Sequence, residues 1–197
     1  DVIIIEKSSV LGYVASSLNL VLEGYIQRLE DSRTATASEL LSEGINVMLN
    51  SEVTKIFPQE QTVHFVTSTA SYQQEDEVSY DGLILAMGSS TFRSEFASDV
   101  EAHITTYKTI GQSKQALEKI ESAQTVAIVG AGLIGFELAE SLSGQQKAVH
   151  LIDRMDMLLF RYFDHEIAKF LLECFPKNLQ FYLNSYVAHT INNEKGV

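Results

Sequence analysis

The sequence predicts an α/β protein of two strand–helix–strand domains, the first interrupted by a small antiparallel insertion. Three observations carry that prediction. Short continuous apolar runs, such as Val2-Ile3-Ile4-Ile5 and Val126-Ala127-Ile128-Val129, have the pattern of strands covered on both faces of a parallel sheet. Segments with apolar residues at helical spacing alternate with those runs. Between residues 53 and 80 the composition shifts to Thr, Val, Ser and Tyr, which suits two or three antiparallel strands.

Taken in order, residues 2–6 form a buried parallel strand ended by Glu6. Leu18, Val21, Leu22, Tyr25, Ile26 and Leu29 recur at helical spacing and predict an amphipathic helix. Thr36-Ala37-Ser38-Glu39 fits a capping box, in which hydroxyl and carboxylate satisfy the orphan N–H groups of a helix start. That short helix stops at Gly44, and a strand follows over 45–49. The insertion has a turn at residues 58–61, and residues 83–86 read as another buried strand closed by Gly88. Polar, irregular residues 89–106 form a crossover, so the domains are expected at 1–106 and 107–197. A helix carrying Ile110, Leu117 and Ile120 opens the second. Then come a strand over 126–129, a glycine turn over 130–135, a helix over 136–142 and a strand over 148–152. A further helix places Ile167, Phe170, Leu171 and Cys174 on one apolar face, and strands near 179–183 and 186–191 finish the chain.

The 197 residues carry a formal net charge of -12. So acidic a chain repels phosphate backbones, which argues against nucleic acid as a partner. An anionic ligand must be held locally, by backbone N–H groups and helix ends. The lone cysteine, Cys174, allows no internal disulfide and suits a reducing, cytoplasmic compartment. No apolar run has the length needed to cross a bilayer, and no signal peptide opens the chain.

The segment Gly130-Ala131-Gly132-Leu133-Ile134-Gly135 places G-x-G-x-x-G between a strand and a helix. Gly130 makes the tight turn, Gly132 lets backbone approach a pyrophosphate, and Gly135 lets helix pack on strand. The helix N-terminus offers free N–H groups and a partial positive charge. Asp153 stands at the end of the next strand, 18 residues after Gly135, where a carboxylate can accept from both ribose hydroxyls of NAD and repel the 2′-phosphate of NADP. Arg154 beside it weakens that discrimination.

Val2-Ile3-Ile4-Ile5 followed by Glu6 repeats the pattern that ends in Asp153. If Glu6 is a second ribose ligand, its glycine turn belongs roughly 20 residues upstream, ahead of residue 1. If it is not, Glu6 merely ends a strand in solvent. The first six residues alone leave these two readings even.

The chain resembles the pyridine nucleotide-disulfide oxidoreductase superfamily, in its NADH oxidase, NADH peroxidase and coenzyme A-disulfide reductase branch. The residues that carry the resemblance run through nearly the whole chain. They are Ile4-Ile5-Glu6-Lys7 with Leu11-Gly12-Tyr13, Gly44-Ile45-Asn46-Val47 through Glu52-Val53-Thr54-Lys55-Ile56, and Tyr80-Asp81-Gly82-Leu83-Ile84-Leu85-Ala86-Met87-Gly88. To these add the run from Val129 through Gly135 to Phe136-Glu137-Leu138-Ala139-Glu140, with Leu151-Ile152-Asp153. The resemblance implies two Rossmann-like FAD/NAD(P)-binding domains, the first truncated at its N-terminus, in an internal piece of a longer FAD-dependent NADH oxidoreductase. Glu6, next to Lys7, would hold the adenosine ribose of FAD. Val53 would meet the adenine through its backbone, and Ala86 to Gly88 would pass close to the flavin nucleotide. Gly130, Gly132, Leu133, Ile134, Gly135 and Asp153 would hold NAD(H), and Glu137 would lie near the nicotinamide. The intact protein would be a homodimer through a C-terminal domain beyond residue 197.

Three positions depart from that pattern. Ser16 stands about where the branch carries a redox cysteine, and a hydroxyl cannot cycle through a disulfide or sulfenic acid. Met87 replaces the usual threonine beside FAD, and Leu133 stands where a tyrosine over the flavin is common. The expected activity is therefore hydride transfer from NADH to flavin, and onward to oxygen or another small acceptor, without a cysteine relay. The alternative is a catalytically degenerate paralogue that binds or senses NAD(H). Alone, the fragment is expected to be inactive. The five histidines lack metal-pair spacing, Cys174 reads as a core cysteine, and Glu75-Asp76-Glu77 as a solvated hairpin tip.

Overall fold

A computed structural model describes residues 1–91 and 103–191. They fall into two compact units, one of residues 1–14 and 32–90, the other of residues 15–31, 91 and 103–191. The expected division at residue 106 placed 15–31 in the first domain, whereas compactness groups that segment with the second. The reason is burial: Leu18 is fully enclosed in the core that also contains Ala116, Ala139 and Leu142.

In the first unit, β1 (Val2–Ile5) runs parallel to β2 (Ile45–Met48), with Val2 opposite Ile45 and Ile5 opposite Met48. The return crossing uses α2 (Ala37–Ser42); α1 (Ser17–Leu22) belongs to the other unit. The capping box forms: Glu39 N–H donates to Thr36 Oγ1 at 3.3 Å, and Thr36 N–H donates to Glu39 Oε2 at 2.8 Å. An antiparallel sheet of order β3-β4-β5 follows, from Ser51–Phe57, Thr62–Ser68 and Gln73–Ser79. Val63 and Phe65 of β4 are its buried face.

Three expectations fail in this unit. β1 is only half covered, with Val2 57% and Ile3 38% exposed. Residues 83–86 form no strand, and Ile84 is 89% exposed. An apolar run becomes a strand only where its backbone finds a ladder partner, and among the described residues 83–86 has none. Glu75, Asp76 and Glu77 lie within β5 rather than at a hairpin tip, and Glu77 pairs with His64 Nε2 across the ladder at 3.0 Å.

The second unit is a parallel sheet of order β6-β7-β8, from Thr125–Val129, Ala148–Ile152 and Leu179–Tyr182. Helix α4 (Leu133–Gly144) connects β6 to β7, and α5 (His165–Cys174) connects β7 to β8. α3 (Ile110–Ser122) precedes them, opened by a capping box of Thr109 and Gln112. α1 (Ser17–Leu22) packs against α4.

Here too the sequence expectations need correction. The helix expected over 18–29 ends after one and a half turns; Gly24 takes φ +78°, Tyr25 is exposed, and a 3-10 turn at Leu29–Ser32 follows. The buried stripe of α5 is Ala168, Leu171 and Leu172 continued by Phe175, whose ring meets Phe136 and Phe181 edge-on at 5.1 and 5.7 Å. Ile167 and Phe170 face outward, and Cys174 is exposed rather than a core cysteine. No strand forms over 186–191, where Tyr186 is 80% exposed. Residues 92–102 of the expected crossover lie outside the described residues. No described helix is long and apolar enough to cross a membrane.

Candidate functional site

The glycine turn lies at the carboxyl end of β6. Gly130 takes φ +110°, a conformation that favours glycine, and its N–H donates to Ile152 O at 2.8 Å, tying the turn to β7. Gly132 is the N-cap of α4 in extended conformation, and no side chain caps that terminus. A Cβ at Gly135 would lie 1.9 Å from Gly130 O and 3.4 Å from Ile128 Cγ2, so only glycine allows this closeness of helix and strand. On the other side of the loop, a Cβ at Gly130 or Gly132 would meet nothing within 4 Å. An uncapped helix start beside open glycine backbone fits a pyrophosphate: N–H groups and dipole are available, and no side chain blocks approach.

Asp153 follows β7 and is partly buried. Its Oδ2 accepts from Ala131 N–H at 2.5 Å, and its Oδ1 accepts from Met155 N–H at 2.8 Å. Its own N–H donates to Tyr182 O at 3.0 Å, fixing the residue to the end of β8. The carboxylate thus braces the glycine loop, and each oxygen keeps a lone pair for a further donor. Leu133 and Ile134 are 46% and 64% exposed at the mouth of the loop, and Arg154 is exposed next to Asp153.

One turn into α4, Glu137 Oε2 accepts from Asn19 Nδ2 of α1 at 3.0 Å. Asn19 is 5% exposed, and its Oδ1 has no hydrogen-bond partner. On the same helix pair, Ser141 Oγ donates to Glu23 Oε1 at 2.6 Å, and Gln145 Nε2 donates to Leu22 O at 2.7 Å. Sequence reasoning missed Asn19. The available signal was an amide inside the apolar run of Leu18, Leu20 and Leu22.

The residues assigned to the flavin nucleotide sit in the other unit. Glu6 N–H donates to Met48 O at 2.8 Å, and its Oε1 accepts from Ser8 N–H at 2.6 Å. Lys7 Nζ pairs with Glu52 Oε1 at 2.7 Å on the surface. Val53 lies opposite Phe65, next to a register shift in β3. Ala86 and Gly88 are exposed in an irregular segment, with Gly88 at φ +68°. A strand-end carboxylate with one oxygen bound by backbone and the other open fits a ribose hydroxyl pair. Ser16 is the exposed N-cap of α1 and makes no capping bond. Among the described residues, no group of three His, Cys, Asp or Glu is placed to hold a metal ion.

Comparison with known proteins adds four findings. The profile of the pyridine nucleotide-disulphide oxidoreductase family matches residues 1–197. An NADH oxidase of Enterococcus faecalis is 25% identical over 197 residues, which is 100% of this chain and 44% of that protein. One from Lactococcus lactis is 27% identical over 173 residues, 86% of this chain and 38% of that protein. Among solved structures, a water-forming NADH oxidase from Lactobacillus brevis bound to NADH matches with a TM-score of 0.89 at 26% identity, over 100% of this chain and 43% of that one. The chain therefore spans less than half the length of these relatives.

Proposed function

Because the chain belongs to the pyridine nucleotide-disulphide oxidoreductase family, we propose that it is the nucleotide-binding part of a longer FAD-dependent NADH oxidoreductase of the NADH oxidase type. The observation that carries this reading is the glycine loop at 130–135, open on its outer side and braced by the Asp153 carboxylate.

In this reading the uncapped start of α4 holds the pyrophosphate of NAD(H) through the N–H groups around Gly132, Leu133 and Ile134. Asp153 accepts from the ribose hydroxyls with its remaining lone pairs and disfavours a 2′-phosphate, while Arg154 softens that preference. Glu137 lies toward the nicotinamide end. Glu6, with Lys7, Val53, Ala86 and Gly88, serves the flavin nucleotide. When bound, NADH and FAD supply the redox chemistry, a hydride passing from nicotinamide to flavin; the residues supply orientation and charge. Ser16 offers no thiol, so electrons leave for oxygen or a small acceptor without a relay at that position. The intact protein is proposed to be a cytoplasmic homodimer that uses a domain beyond residue 197.

The hydroxyl at Ser16 also favours a second reading, a paralogue that binds NAD(H) without turnover. Anaerobic mixing of the full-length protein with NADH separates the two. The proposed oxidoreductase bleaches its flavin; an unchanged flavin spectrum with NAD(H) still bound leaves only the binding paralogue.

A further inference from the structure

The contact between buried Asn19 and exposed Glu137 has no part in the nucleotide loop itself. Asn19 sits on the face of α1 that packs against α4, enclosed to within 5% of full burial. Its Nδ2 donates to Glu137 Oε2 at 3.0 Å, across 118 residues of sequence. Its Oδ1 bonds to nothing, although a buried polar atom without a partner is costly. A residue kept only for packing would be better served by leucine, which fills similar space without the orphaned oxygen. What the amide supplies, and leucine cannot, is a fixed donor to a carboxylate.

We propose that Asn19 is a positioning residue that fixes the carboxylate of Glu137 in one orientation toward the nicotinamide ring. The inference rests on the placement of Glu137 proposed above. Its chemical consequence is specific. A carboxylate held beside the ring attracts the cationic nicotinamide of NAD⁺ more than a neutral, reduced ring. It therefore favours the charge that develops as hydride departs, and discriminates between the two redox states of the ligand in the ground state. Glu23, bonded to Ser141, is the neighbouring carboxylate on the same helix pair and is left in place by the changes tested.

The test uses the full-length protein and two probes, NAD⁺ and 1,4,5,6-tetrahydro-NAD, whose ring is neutral and cannot give hydride. Dissociation constants are measured by calorimetry for wild type, Asn19→Leu, Asn19→Ala, Glu137→Gln and the Asn19→Leu/Glu137→Gln pair. The preference for NAD⁺ over the neutral probe is expected to fall about fivefold in each single variant, a change in proportion to one charge-assisted contact, and no further in the double variant. Equal weakening of both probes by the Asn19 variants would make Asn19 a packing residue and overturn the proposal. A shifted preference in Glu137→Gln with none in Asn19→Leu or Asn19→Ala overturns it as well, while leaving Glu137 at the nicotinamide. No shift in Glu137→Gln removes Glu137 from the ring and the inference with it. Melting temperatures identify any variant that has lost its fold, and the second Asn19 substitution then decides.

Discussion

Asp153 joins loop and ligand in a single side chain. Its two oxygens take the N–H groups of Ala131 and Met155, so its loss both removes acceptors from the proposed ribose site and frees the glycine turn. Asp153→Ala is expected to weaken NADH binding by about 1–3 kcal/mol, the size of a hydrogen bond to a charged acceptor. Asp153→Asn keeps one acceptor and should fall between. Calorimetric titration checks both, and an unaltered affinity in Asp153→Ala would take the residue out of the site. The sequence made Asp153 legible because strand, turn and helix lengths are narrow, so its spacing from Gly135 nearly dictates its place. Asn19 was not legible. Its partner lies in a different segment, and only tertiary packing brings donor and acceptor together.

Among the elements, the legible ones are those whose signals are local. The capping box at Thr36 and Glu39 formed as expected because both partners lie within one helical turn. Thr36→Ala should lower the stability of the fold by about 1 kcal/mol, as typical for a lost N-cap. Urea unfolding with an unchanged midpoint would show that α2 draws nothing from its cap. Residues 83–86 have the composition of a strand but depend on a ladder partner, which composition does not supply. α1 stops early because Glu23 and Gly24 end it, although the apolar spacing continues to Leu29. The buried stripe of α5 differs from the expected one because two apolar stripes overlap on that helix. Phe175, just past its end, selects the stripe that reaches Phe136 and Phe181.

For the whole molecule, charge sets the response to acid. Lys114 donating to Glu30 at 2.5 Å holds that carboxyl below its ordinary 4.5; Arg28 does the same for Asp31, and the Thr36 cap for Glu39. Each folded value lies below the unfolded one, so the stabilisation is complete above the ordinary range and disappears as pH falls through the folded values. Melting temperature should begin to fall as pH approaches 4.5 from above and decline further below it. With a net charge of -12, relief of general repulsion would instead raise it, so the sign of the change separates paired acids from bulk charge. The two compact units also interleave along the chain, which passes from one to the other after residues 14, 31 and 90. A graft of the nucleotide loop into another protein therefore cannot be one contiguous piece. A transplant beginning at residue 107 would carry Gly130 to Gly135 and Asp153 but leave behind Leu18, whose side chain fills the core beneath α4. The transferable module is residues 15–31 spliced to the segment after residue 90, and its natural boundaries are stitches rather than a single seam.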